Sequence, residues 1–146
     1  LGVRHIYPLL SERTQVRPSE QRLRRWQTIA REATEQSWRQ FVPQVHPPVR
    51  FEAWLASLEM THPVCFCSTR PGQASLLQTL GAVSKLPQVT IVTGPEGGWS
   101  SEEEAQLVDQ KCIGVGLGPR TLRAVTAPVC ALSLIAAFLE PSSPEA

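Results

Sequence analysis

The chain has 146 residues, is 42% hydrophobic and carries a formal net charge of +1; that length buries one substantial core and predicts a single globular domain, which excludes disordered and fibrous classes. No apolar run reaches membrane-spanning length and no basic-then-apolar leader opens the sequence, so a soluble, cytoplasmic protein with no membrane partner is expected. Charge is uneven along the chain: residues 1 to 50 hold nine Arg against four Glu, and the remainder holds five basic residues against nine acidic ones. Arginine forks onto phosphates and stacks on bases, so the front half fits a polyanionic partner such as RNA, with solvated helix charges as the plain alternative.

Val3 to Tyr7 reads as a short strand closed by Pro8, with Ser11 to Thr14 as a polar loop at its carboxyl end. Pro18 and Ser19 open the longest helix signal, in which Leu23, Trp26, Ala30, Ala33 and Ser37 make one packing stripe. Arg22, Arg25, Glu32, Gln36 and Arg39 are left for other faces. Of these, Glu32, Gln36 and Arg39 stack on one side near the carboxyl end, either as a polar site or as an intrahelical Glu32–Gln36 pair with a solvated Arg39. Residues 44 to 50 are proline-rich and extended, and residues 51 to 58 form a short amphipathic helix.

Val64 to Cys67 is a buried strand candidate that opens into the polar loop Ser68 to Gly72. Residues 73 to 84 are weakly helical, and Val89 to Thr93 is an unbroken apolar strand suited to a sheet covered on both faces. After the Gly94 to Gly98 loop a helix restarts, with Ser101 and Glu104 spaced as a capping box. Cys112 to Leu117 is the next strand. Thr126 and Pro128 start a final helix whose residues 129 to 139 are almost wholly apolar, which requires burial in the core or against a second subunit. The four cysteines, Cys65, Cys67, Cys112 and Cys130, lie in apolar segments as small hydrophobes, so neither a metal site nor a disulfide framework is expected.

Strands alternating with helices predict a parallel α/β sheet. Two glycine-marked exits from apolar strands stand out, Thr93-Gly94-Pro95-Glu96-Gly97-Gly98 and Leu117-Gly118-Pro119-Arg120-Thr121-Leu122-Arg123-Ala124-Val125-Thr126. Loops at the carboxyl edge of such a sheet are where ligands sit, and glycine lets main-chain amides and carbonyls line the pocket. Neither loop is a Walker phosphate loop or a dinucleotide fingerprint, so ATP and NAD are disfavoured and a nucleoside or amino-acid derivative such as S-adenosylmethionine fits better.

Over nearly its whole length the chain resembles the RsmE-type 16S ribosomal RNA uridine N3-methyltransferases of the SPOUT (trefoil-knot) superfamily. The matching elements are Leu1-Gly2-Val3 with Pro8 and Ser11-Glu12-Arg13; Trp26, Ile29-Ala30, Glu32-Ala33, Gln36, Arg39 and Pro43; Gly94 to Gly98; and Leu117 to Arg120 with Leu122-Arg123. The resemblance implies a SPOUT domain over residues 1 to 140 with a deep C-terminal trefoil knot and a homodimer formed partly through the last helix; Pro141 to Ala146 reads from its composition as a disordered tail. The resemblance also implies that Thr93, Gly94, Glu96, Gly97, Gly98, Leu117, Gly118, Arg120, Leu122, Arg123 and Thr126 cradle S-adenosylmethionine beside Ser68. Glu12, Arg13, Glu32, Gln36 and Arg39, with Arg22 and Arg25 from the basic front, are then expected to face small-subunit ribosomal RNA. Arg39 or Arg123 would stabilise charge on the uracil oxygens and Glu32 would take the N3 proton.

Two departures qualify the match. The family commonly reads Leu-Arg-Thr-Glu-Thr where this chain has Leu122-Arg123-Ala124-Val125-Thr126, which replaces a carboxylate by an apolar side chain. The family also carries a small β-barrel RNA-binding domain and a first strand and helix ahead of the position of Leu1. Without them weaker RNA binding and an exposed sheet edge are expected. The competing readings are another SPOUT methyltransferase, for instance one acting on ribose hydroxyls, and a non-catalytic RNA-binding or dimerisation module.

Overall fold

The structure is a computed structural model that describes residues 1–15, 18–83 and 88–139. The expected tail at 141 to 146 lies outside the described residues. The elements in chain order are β1 (His5–Ile6), β2 (Leu9–Leu10), α1 (Glu20–Gln36), β3 (Gln44–Val45), β4 (Val49–Arg50), α2 (Phe51–Ala56), β5 (Val64–Cys67), α3 (Leu76–Gly81), β6 (Thr90–Val92), α4 (Ser101–Asp109), β7 (Ile113–Val115) and α5 (Ala127–Leu139). Every described strand pairing is parallel: β1 with β3, β2 with β4, and a three-stranded sheet in the order β6-β5-β7. The parallel α/β architecture expected from the sequence is therefore present. Among the described residues no helix is long and apolar enough to cross a membrane.

β5 shows why the order is stable. Its residues alternate between two cores: Val64 and Phe66 point into one with Phe51, Trp54, Leu55, Val92, Trp99 and Leu107, while Cys65 joins Leu76, Leu80, Val115, Ala131 and Ile135 in the other. The first core is capped by α2 and α4, the second by α3 and α5. A central parallel strand buried on both faces needs the unbroken apolar run that this segment has.

The first strand departs from expectation. It spans only His5–Ile6, ending before Pro8, but a second strand, β2, follows at once, because the Pro8 carbonyl accepts a hydrogen bond from the Val49 amide at 3.0 Å and proline lacks only the donor. Residues 44 to 50, expected to be merely extended, hold β3 and β4, whose partners lie some forty residues earlier. The stripe of α1 also shifts. Leu23, Trp26 and Ala30 are partly buried, but the stripe ends on buried Thr34, whose hydroxyl donates to the Ala30 carbonyl at 2.7 Å, and Ala33 and Ser37 are exposed.

α4 begins one residue earlier than its capping signal suggests. Ser100 is the N-cap, its Oγ accepting from the Glu103 amide at 3.2 Å while Glu103 Oε2 accepts from the Ser100 amide at 2.9 Å. Glu104 is thereby freed for another partner. α5 buries only Ala131 and Ile135, leaving Val129, Ser133 and Ala137, at four-residue steps, exposed along with Phe138 and Leu139.

Candidate active site

Parallel pairing brings the exits of β5, β6 and β7 to one edge, since all three strands end there. The loop after β5 is the polar segment Ser68 to Gly72, and the two glycine loops follow β6 and β7. The Trp99 indole joins the first two, its Nε1 donating to the Cys67 carbonyl at 3.1 Å. Its ring lies 3.2 Å from where a Cβ on Gly94 would stand, so any larger residue there would have to push the indole back.

Arg13, from the loop after β2, closes the same edge. Its Nη1 donates to the Gly97 carbonyl at 2.8 Å and to the Trp99 carbonyl at 3.3 Å. A Cβ on Gly97 would stand 3.0 Å from the Arg13 Cβ, so a side chain here would crowd Arg13 and shift it. The residue expected to meet RNA therefore also braces the loop, a role the sequence did not signal.

Two neighbouring carboxylates on the first turn of α4 tie the other loops down. Glu103 Oε1 accepts from the Glu12 amide at 2.8 Å while its other oxygen caps the helix. Glu104 accepts from Ser68 Oγ at 3.0 Å and pairs with Arg70 Nε, and Ser68 Oγ in turn accepts the Arg70 amide at 3.1 Å. Both glutamates are buried, and each has its oxygens satisfied, as burial of charge demands. The helix dipole adds to this, since both sit at its positive end.

The loop after β7 is built differently. Among the described residues the amides of Gly118, Arg120, Thr121 and Leu122 donate no hydrogen bond within the chain. The main chain recovers at Arg123, whose carbonyl accepts from Thr126 at 2.9 Å and Ala127 at 3.0 Å to start α5. Glu96, Arg120, Arg123, Val125 and Thr126 are exposed, and Leu117 and Leu122 are partly buried. Open amides beside a glycine that admits close approach are what a nucleoside needs, so the residues present fit such a ligand.

The structure does not gather every expected residue at this edge. α1 runs from the exit of β2 back to the start of β3, so its carboxyl end lies at the edge where strands begin. A 17-residue helix spans about 25 Å. Arg22 and Arg25 stand on its early turns, on the side of the glycine loops. Glu32, Gln36 and Arg39 stand at the far end, where a Cβ on Gly2 would lie 3.6 Å from Arg39 Nη2. All three are exposed, and the Glu32–Gln36 pair is not formed among the described residues. Arg39 also borders an open apolar cavity of about 540 Å³ between α1 and residues 1 to 8, walled by Trp26, Ile29 and Ala30.

The RNA methyltransferase domain model matches residues 1–136. The chain belongs to this family. It is 40% identical to the ribosomal RNA small subunit methyltransferase E of Synechocystis sp. over 96% of the chain and 46% of that protein, and 35% identical to the Bacillus subtilis protein of the same name over 92% of the chain and 56% of that protein. It thus spans about half the length of the curated relatives it matches. In structure it resembles the Neisseria gonorrhoeae ribosomal RNA small subunit methyltransferase E bound to S-adenosyl methionine, with a TM-score of 0.81 and 36% identity over 94% of this chain and 56% of that one. Among the described residues no three His, Cys, Asp or Glu side chains are grouped to hold a metal ion.

Proposed function

We propose that this RNA methyltransferase domain carries an S-adenosylmethionine-dependent activity that methylates N3 of a uridine in 16S ribosomal RNA. The observation that carries the reading is the edge where the loops after β5, β6 and β7 meet, braced by Arg13 and the two α4 glutamates, in a chain 36% identical to a relative solved with that cofactor. When bound, the cofactor supplies a methyl group on a sulfonium. The residues to hold it are Thr93 to Gly98, Leu117 to Arg123 and Thr126, with Ser68 as the third wall.

The remaining chemistry falls to side chains at the same edge. Uridine N3 must lose its proton before its lone pair can attack, and charge then spreads onto the uracil oxygens. We assign Arg123, in the loop after β7, to stabilise that charge. For the proton we assign Glu12, whose backbone is fixed by Glu103 beside Arg13, in place of Glu32, which lies at the far end of α1. Glu32, Gln36 and Arg39, with Arg22 and Arg25, become contacts to flanking RNA. Positioning supplies most of the rate.

The finer architecture belongs to the same proposal. Threading of the 117 to 126 loop through a deep trefoil knot, a cytoplasmic homodimer and packing of the partner on α5 all follow from the family resemblance. The dimer is supported further by the exposed apolar face of α5. Calorimetry with S-adenosylmethionine, followed by single-turnover methylation of small-subunit RNA and mass mapping of the product, tests the reading. A folded chain that binds no cofactor would assign it instead to RNA binding without catalysis, the reading that Val125, 72% exposed in the second glycine loop, favours.

A further inference from the structure

α1 ends in a Schellman motif. The Arg39 amide donates to the Thr34 carbonyl at 3.1 Å and the Trp38 amide to the Glu35 carbonyl at 3.3 Å, which places Trp38 at the position where the chain turns left-handed. Its φ is +54°. Glycine suits that position because a Cβ there crowds the backbone, and tryptophan has nothing to offset the strain from within the chain: its residue surface is 95% exposed. α4 closes with the same motif on Lys111 at φ +66°, but a lysine at least places its charge in water. A large apolar ring set in solvent on a strained turn gains neither hydration nor packing.

The surroundings of the ring indicate what it meets. Arg39 follows it directly and Phe41, 71% exposed, stands three residues on. Arg4 lies with its guanidinium 5.8 Å from the centre of the Phe41 ring. Neither Arg4 nor Arg39 has a carboxylate partner among the described residues. Exposed aromatic rings interleaved with unpaired guanidinium groups bind single-stranded nucleic acid, the rings stacking on bases and the cations holding phosphates.

We propose that Trp38 is a base-stacking residue for single-stranded RNA, with Phe41 beside it and Arg4 and Arg39 as phosphate contacts. The inference rests on the proposed action on RNA. Because Trp38 lies at the strand-start edge, a helix length from the glycine loops, the base it stacks is a flanking nucleotide and not the methylated one.

The test is binding of a labelled single-stranded oligouridine to the chain, read by fluorescence anisotropy across a salt series. W38G relieves the strained turn, so it should fold and melt higher by about 3 °C. It should bind roughly 10-fold more weakly, the loss of one stacked base, with an unchanged slope of log Kd against log salt because no charge is removed. W38F keeps a ring in place and should retain most of the affinity. Equal affinity of W38G and the parent would overturn the proposal, as would a wild-type chain that fails to bind the oligonucleotide. Loss of a dimer on W38G in sedimentation, with RNA affinity intact, would overturn it in favour of a contact with a second copy. Calorimetry with S-adenosylmethionine on the same samples separates the two readings: cofactor binding without stacking leaves the methyltransferase reading standing, and absence of both removes it.

Discussion

Ser68 donates its hydroxyl proton to Glu104 across 3.0 Å, from the loop after β5 to the first turn of α4, and the hydroxyl oxygen also receives the Arg70 amide. One buried carboxylate thereby sets the backbone of a loop that forms a wall of the proposed cofactor site. Removing it leaves Ser68 without its acceptor and Arg70 without its charge partner. E104A should therefore destabilise the chain by about 1–3 kcal/mol, the range for a buried polar group left unsatisfied, and weaken cofactor binding more than it slows methyl transfer at saturation. E104Q, which keeps an acceptor for Ser68, should recover most of the affinity. Thermal melts and calorimetry with S-adenosylmethionine check both. Affinity equal to the parent in E104A would show that the loop holds its shape without the carboxylate.

The same glutamate shows where the sequence runs out. Ser100-Ser101 followed by Glu103-Glu104 contains the capping spacing twice, one residue apart, and nothing local chooses between them. The choice is tertiary: only with Ser100 as the cap does Glu103 reach the Glu12 amide while Glu104 faces Ser68 and Arg70. β3 and β4 were hidden similarly, because two-residue strands flanked by Pro43, Pro47 and Pro48 carry no period and exist only through β1 and β2. What was legible were features with their own local chemistry: the Ser19 cap, the apolar run of β5, and glycines whose space is taken by Trp99 and Arg13. The spacing of Glu32, Gln36 and Arg39 implied one side of the helix, but α1 ends at Gln36 and the left-handed turn at Trp38 carries Arg39 off it, so only Glu32 and Gln36 share the helix end. Nor could the spacing tell which edge of the sheet that end meets.

That edge divides the arginines into two groups with different expected phenotypes. Arg123 stands in the loop after β7, so R123A should lower the single-turnover methylation rate by about 10²-fold, the scale of losing one charge-stabilising donor. R39A should weaken binding of the RNA yet leave the rate at saturating RNA within about threefold, since uniform binding energy does not appear in the chemical step. Quench-flow with radiolabelled cofactor distinguishes them. Equal slowing by R39A would return Arg39 to the reacting centre.

α5 offers a direct test of assembly. Val129 is 55% exposed on the first turn of α5 and lies in line, at four-residue steps, with exposed Ser133 and Ala137, on a helix whose other side packs on α3 and β6. If a second copy covers that face, V129D buries an unpaired carboxylate in the interface and should convert a dimer to monomer in sedimentation velocity. The monomer should keep its helical signal, since the position is open to water in the single chain. A V129D variant that sediments as the parent does would place the interface elsewhere.

The thiols of the sheet predict an alkaline limb of stability. Burial pushes the Cys65 thiol up to about 11 and the Cys67 thiol up to about 12 from an ordinary 9.0, with neighbouring cysteines adding to the rise, and burial also raises Cys112. A raised thiol pKa means that the folded chain keeps its proton while the unfolded chain, titrating near 9.0, has lost it. Between those values the folded state binds more protons, so stability is full below about pH 9 and falls as pH rises towards the folded-state values. Urea melts taken from pH 8 to pH 10.5 should show the fall, and C67A should make it shallower by removing one of the titrating groups. Below pH 9 the same protonation keeps Cys65 and Cys67 inert, because the thiolate is the reacting form. Labelling of the fully buried Cys65 by a thiol reagent at pH 8 should therefore follow global unfolding, and labelling of Cys65 faster than unfolding would mean that the sheet opens locally between β5 and α5.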